Sequence, residues 1–215
     1  DLVYPSFLGR GDIRARVAAL EADGRSWPRD PDGAPHYPGE ERDLDVAARA
    51  ERMASEPHVV WRLDSAKAVA RAGSLSWRET GAGPNGESGR IAADPLAWGD
   101  PVLARWEVPT SYHLSVVVDD ALQGVTHVVR GRDLFHATGL HRLLQRLLDL
   151  PEPIYHHHRL VTDAGGRKLA KSAADTALAH LRDQGHTPED IRRLVDWRTT
   201  ADDLPRLNRE LREWG

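Results

Sequence analysis

The chain has 215 residues, a formal net charge of −4 and no cysteine, a length that allows one large domain or two small ones with a sizeable core. The missing cysteines exclude a disulfide framework, a thiolate metal site and a thiol nucleophile, and they fit a reducing cytoplasm. No apolar run reaches the length of a membrane span, no signal-like segment opens the chain, and the negative balance argues against indiscriminate nucleic-acid binding. From the start, residues 2–7 predict a short strand or turn, and "DIRARVAALEAD" predicts a helix with Ile13, Val17 and Leu20 at helical spacing. "SWPRDPDGAPHYPGEER" is too rich in Pro, Gly and Asp for regular structure. A helix follows over "DLDVAARAERMAS", then a strand over "HVVWRLD", a short helix, and a strand with a Gly-rich turn in "SLSWRETGAGPNGESGR".

The character changes at Val102. "LSVVVDD" and "VTHVV" predict strands buried on both faces, as in parallel sheets covered by helices. "ATGLHRLLQRLLDL" predicts an amphipathic crossover helix stopped by Pro151 and Pro153, and "IYHHHRLV" returns as a strand. Strand, helix and strand at this spacing make a βαβ unit, so the fold class is α/β with a Rossmann-like half-sheet. In the tail, Thr187 as N-cap and Pro188 at the first helical position start one helix, and "DDLPRLNRELREW" is a last one.

Lysine occurs three times, and two of the three, Lys168 and Lys171, lie in "GGRKLAKS". Gly165 and Gly166 free the backbone behind a strand, and two ammonium groups three residues apart can reach a polyphosphate from one loop. Charge that builds on phosphate oxygens in a nucleotidyl transfer is stabilised by such a group. A solvated basic turn is the plain alternative. Residues 130–171 also hold eight Lys/Arg against four Asp/Glu, together with five of the eleven histidines. That surplus suits a phosphate-bearing partner or is an ordinary fluctuation.

The neighbouring residues carry a resemblance. "KLAKS" at 168–172 resembles the KMSKS signature of class I aminoacyl-tRNA synthetases. "SYHLSVVVDDALQGVTHVVRGRDL" at 111–134 resembles the catalytic half-domain of glutamyl-tRNA synthetases, and "DDALQG", the short tail and the opening "LVYPSFLGRGDI" are closest to the glutamyl-Q tRNA(Asp) synthetase family. The resemblance runs from Leu2 to about Trp197 and is specific over 111–134 and 168–172. It implies the second half of a class I catalytic domain, activation of glutamate with ATP and Mg2+, and transfer of glutamate to queuosine in the anticodon of tRNA(Asp). Tyr112 and Arg130 match the family's glutamate-binding tyrosine and arginine, and Lys171 matches its ATP-binding lysine within the loop Lys168, Leu169, Ala170, Lys171 and Ser172. Arg130 at a strand end would meet a carboxylate bidentately. The expected partners are glutamate, ATP and a tRNA, with no membrane, and the expected state is a cytoplasmic monomer. The expected division is a connective segment over 1–110, the half-domain over 111–172 and a helical tail over 173–215.

Three departures from the pattern stand out. No HIGH-type motif is present, and with Asp1 leading into an apolar stretch this predicts a chain cut at its N-terminus; a non-catalytic tRNA- or partner-binding module, or a fragment of a glutamyl-tRNA synthetase, is the alternative. The positions of the family's zinc ligands hold Ser6, Leu8, Tyr37 and Glu41, which cannot close a tetrahedral site, so zinc is not expected and the loop is either held by packing, of Trp27 and Tyr37, or mobile. The middle serine of the signature is Ala170. Elsewhere, His156 and His158 should share one strand face and His157 the other, which makes a weak metal site at most. Asp119 and Asp120 read as caps of the turn after the "SVVV" strand, ahead of a Mg2+ role.

Overall fold

A computed structural model describes residues 2–56, 58–161 and 177–194, and the chain divides into two compact units, Asp1–Arg159 and Leu160–Gly215. The first unit opens with strand β1 (Val3–Ser6) and helix α1 (Arg10–Ala22), whose buried Ile13 and Val17 pack on Tyr4 and Tyr37. After the Pro/Gly-rich loop come α2 (Val46–Ser55), β2 (Val60–Leu63) and α3 (Ser65–Ala72). Asp45 and Asp64 cap the two helices by accepting from Ala48 and Lys67 backbone N–H groups. A hairpin of β3 (Ser76–Glu79) and β4 (Gly89–Ala92) surrounds the Gly-rich turn, and β5 (Val102–Arg105) completes an antiparallel sheet in the order β1-β2-β5.

The segment 111–158 forms helix α4 (Tyr112–Leu122), β6 (His127–Gly131), α5 (Ala137–Leu147) and β7 (Ile154–His158). Strands β6 and β7 pair in parallel across the α5 crossover, as the βαβ reading expects. Strand β7 also pairs in parallel with β3, giving a second sheet in the order β4-β3-β7-β6. This sheet therefore draws strands from both sides of residue 110. The α/β class is established, with the core split among a cluster of Leu63, Leu103, Val117 and Leu140, one around Tyr4, and one of Trp77, Phe135 and Tyr155.

Two expectations are corrected. "LSVVVDD" is not a strand: it lies inside α4, where Ser111 accepts the Leu114 N–H as N-cap and Leu114, Val117 and Val118 face the core at helical spacing. Packing and the cap override the β preference of three consecutive valines. Asp119 and Asp120 accordingly sit in the last turn of α4, with no strand before them. Strand β6 is also not buried on both faces. Among the described residues it is an edge strand, covered on the face of Val128 and Arg130, with Val129 63% exposed on the other.

Helix α5 does act as the crossover, but its polar side does not face water. Every residue from Ala137 to Gln145 is buried. In the second unit, α6 (Leu178–Asp183) precedes α7 (Pro188–Leu194), whose N-terminus has the expected cap: Thr187 and Asp190 exchange hydrogen bonds between backbone and side chain. No helix among the described residues is long and apolar enough to cross a membrane. The "GGRKLAKS" segment, Trp197 and the last expected helix lie outside the described residues.

Candidate functional site

The parallel register of β6 and β7 sets Arg130 opposite His157. Both side chains rise on the face covered by α5, and the arginine is held from four sides. Its Nε donates to His157 Nε2 (3.0 Å), Nη1 to His141 Nδ1 (3.1 Å), and Nη2 to Thr138 Oγ1 (2.8 Å) and to the Leu134 carbonyl (3.2 Å). Among the described residues these bonds use four of the five N–H donors of a guanidinium, leaving one on Nη1. A two-pronged grip on a carboxylate would require one of them to be given up.

Behind His157 lies Glu79. Its carboxylate accepts from the His157 ring Nδ1 (2.6 Å), the His157 backbone N–H (2.8 Å), the Gly81 N–H (2.8 Å) and the Trp77 indole (3.3 Å). Burial works to raise the Glu79 pKa, but the bonds from His157 and Gly81 outweigh it and hold the carboxyl below its ordinary value. Burial lowers His157 despite the carboxylate, and Arg130 adds to that. The contact is therefore a neutral imidazole donating to a carboxylate.

On the other side of Arg130, His141 bonds His113 (Nε2 to Nδ1, 3.0 Å), and the Tyr112 ring lies 5.9 Å from the His141 ring, centre to centre. Burial, then the Arg130 charge, pushes His141 down to about 2, and the same two causes lower His113. Tyr112, 51% exposed, and His113 line a cleft of about 630 Å³. Arg10 and Arg14 of α1, Arg62 of β2 and Arg105 of β5 contribute cations to its wall. The structure thus brings two of the sequence-derived site residues, Tyr112 and Arg130, around one histidine, His141. Lys168, Leu169, Ala170, Lys171 and Ser172 lie outside the described residues.

The residues that sequence reasoning missed are Glu79, His113, Thr138 and His141, and it assigned no role to His157. The alternation in the histidine run is as expected: His157 is buried, while His156 meets Thr80 Oγ1 from the other face and His158 is exposed. One signal was available for the rest. Thr138, His141, Arg142 and Gln145 form a polar stripe on a helix whose following strand carries histidines.

The four zinc-like positions do not fit a metal. Ser6 Oγ donates to the Val60 carbonyl and accepts from Arg62 Nε, both at 3.0 Å. Tyr37 donates to Glu41, while Arg62 stacks 3.9 Å over the Tyr37 ring. Burial and the Glu41 bond raise the Tyr37 phenol, so it stays protonated and is no phenolate ligand. Leu8 packs on the Tyr4 cluster with Trp27, whose indole donates to the His36 carbonyl. The expectation that Trp27 and Tyr37 hold the loop by packing is met. Among the described residues no group of three or more His, Asp or Glu side chains is placed to hold a metal ion.

Comparison with known proteins gives the chain its family. Residues 78–203 match the family model of the class I tRNA synthetases (E and Q), catalytic domain. The chain is 45% identical over 196 residues to a glutamyl-Q tRNA(Asp) synthetase of Rhodobacter capsulatus, covering 90% of this chain and 66% of that protein. It is 36% identical over 205 residues to that of Cutibacterium acnes, covering 95% and 51%. It is also 37% identical over 141 residues to a glutamate–tRNA ligase 2 of Methylobacterium sp., covering 66% and 29%. The chain thus spans roughly half to two thirds of the length of the glutamyl-Q relatives named here. A crystal structure of the glutamate–tRNA synthetase of Elizabethkingia anophelis superposes with a TM-score of 0.59 at 20% identity, over 81% of this chain and 33% of that one, which supports the fold. The match to the family model covers more than half of the chain, and on it the chain belongs to the class I tRNA synthetases of the glutamate and glutamine group, as part of their catalytic domain.

Proposed function

We propose that this chain is the part of a glutamyl-Q tRNA(Asp) synthetase that binds glutamate and closes on ATP. The observation that carries the reading is the 45% identity to the Rhodobacter capsulatus protein of that name over 90% of the chain. In the first step a glutamate carboxylate oxygen attacks the α-phosphorus of ATP, forming glutamyl-adenylate and releasing pyrophosphate. In the second the glutamyl group passes to queuosine in the anticodon of tRNA(Asp), releasing AMP. ATP is taken with Mg2+.

Tyr112 at the cleft and Arg130 behind it are assigned to glutamate. The cation contributes its charge and the remaining Nη1 N–H to a carboxylate in a partly dehydrated setting, where a charge-assisted bond is stronger than in water. The loop Lys168–Ser172 is assigned to ATP, with Lys171 at the phosphates and Lys168 at its entry. The division into a connective segment over 1–110, a half-domain over 111–172 and a tail belongs to the same proposal. The likeness to a glutamate–tRNA ligase over 66% of the chain favours a second acceptor, the end of a tRNA, for the same activated glutamate.

The test is glutamate-dependent ATP–pyrophosphate exchange by the full-length protein containing this chain. Exchange is expected with glutamate and lost in Lys171→Ala; exchange that survives this substitution removes Lys171 from the reading. Transfer of labelled glutamate to tRNA(Asp) with queuosine, and none to the same tRNA without it, is the expected second result. Equal transfer to both points to the tRNA end, and the absence of exchange leaves a binding module.

A further inference from the structure

We propose that Glu79 and His157 are positioning residues for Arg130, that Arg130, a pure donor, sets the direction of the hydrogen bonds on both sides of it, and that the outer branch ends in an N–H on His113 at the cleft wall. The argument begins with Arg130, which can only donate. Its Nε points at His157 Nε2, so that nitrogen carries no proton and the His157 proton is on Nδ1, where Glu79 accepts it. Its Nη1 points at His141 Nδ1, so the His141 proton is on Nε2 and is donated to His113 Nδ1. The His113 proton is then on Nε2. Each of the three rings is neutral with a defined tautomer, and none can reverse alone without setting two donors face to face.

Glu79 anchors the His157 branch, because the four groups that meet its carboxylate are donors: His157 Nδ1, two backbone N–H groups and an indole. The carboxylate and the His157 side chain are fully buried, and the Gly81 backbone seals them, lying so close that a Cβ there would sit 2.3 Å from the His157 carbonyl oxygen. Thr138 completes the clamp: it accepts from Arg130 and lies 3.4 Å from His157 Nε2, which suits its hydroxyl proton only if that nitrogen is bare. The outcome at the cleft is a donor on His113 beside the exposed Tyr112. Such a donor fits an acceptor group of a substrate, a carboxylate or carbonyl oxygen, and not an ammonium group. This role at a substrate rests on the proposed glutamate site, whereas the direction of the chain does not.

The test separates the two. In the full chain with 15N-labelled histidine, long-range 15N–1H spectra at pH 7.5 are expected to show His157 as the Nδ1–H form and His141 and His113 as Nε2–H forms. Glu79→Gln keeps an oxygen for the two backbone donors only by turning its NH2 toward His157, so His157 is expected to change to the Nε2–H form and to release the Arg130 Nε, in a folded protein. A different tautomer pattern in the wild type, or no change in the variant, overturns the proposal.

In the full-length enzyme, Glu79→Gln and His157→Leu are expected to raise the KM for glutamate about tenfold with a smaller effect on kcat, as expected for a displaced charged donor. His157→Gln, which can still accept from Arg130 and donate to Glu79, should raise it less. Equal effects of the two His157 variants overturn the positioning role. A wild type without glutamate-dependent exchange sinks the proposed function, and the tautomers still decide the chain.

Discussion

Acidification should destabilise the protein well above the range in which carboxylates titrate. His141 is neutral in the fold, with its pKa pushed from 6.5 to about 2 by burial first and by the Arg130 charge second. A base with a lowered folded pKa contributes stability that is complete above the unfolded value and is lost as the pH falls, because only the unfolded chain takes up the proton. Between pH 7.5 and 5.5 the folded ring stays neutral whatever its value below about 4, so the loss depends on the unfolded pKa alone. It comes to about RT ln 11, roughly 1.4 kcal/mol at pH 5.5. The same sign holds for His113 and His157, both lowered by burial and by Arg130, so the total exceeds the His141 share. Unperturbed carboxylates, with pKa values near 4, remain ionised in both states through this window. Urea denaturation followed by tryptophan fluorescence at the two pH values measures the loss. His141→Gln can still accept from Arg130 and donate to His113 but has no proton to gain. In that variant the difference between the two pH values should shrink by about 1.4 kcal/mol. Equal stability of the wild type at pH 7.5 and 5.5, or an unchanged difference in the variant, would refute the description of His141 as a neutral ring held by a cation.

Gly81→Ala should cost about 1–3 kcal/mol in the same denaturation assay, because its Cβ would meet the His157 backbone oxygen at 2.3 Å and nitrogen at 2.7 Å; an unchanged midpoint would show that the Gly81 strand end has room to move. Tyr37→Phe removes the hydroxyl that Glu41 accepts from in a buried site and should cost about 1–3 kcal/mol. Excess chelator, by contrast, should leave the melting temperature of the wild type unchanged, and a drop would mean that Ser6, Tyr37 or Glu41 holds a metal after all.

The sequence shows its long-period features and hides its pairings. The β6–α5–β7 crossover was legible because a strand-period run, a helix-period run and two prolines stand in order within 127–158. The Thr187–Asp190 cap was legible because its whole chemistry lies within four residues. Helix α4 was misread for a physical reason: Val116, Val117 and Val118 favour strands by local preference, and only the Ser111 cap and the packing of Leu114 and Val117 on the Leu140 layer decide for helix. The edge position of β6 was equally hidden, since an apolar strand reads the same whether one or two neighbours flank it.

Arg130 shows most clearly where local reading stops. Its type and its place near a strand end are enough to suggest an anion site, but its partners and the groups behind them come from elements far apart in the chain. Glu79 and His157 stand 78 residues apart and meet only because β3 and β7 pair in parallel. His113 comes from the start of α4, and Thr138 and His141 from the first turns of α5. The polar side of α5 looks solvent-facing in the sequence, yet its groups from Thr138 to Gln145 have partners in the fold: Thr138 and His141 hold Arg130, Arg142 reaches Glu152 and the Ser76 carbonyl, and Gln145 meets the Tyr155 hydroxyl. An amphipathic period therefore fixed the helix without fixing what its polar face touches. In this chain that face lies against the sheet, with Thr138 and His141 on Arg130 and Gln145 on Tyr155.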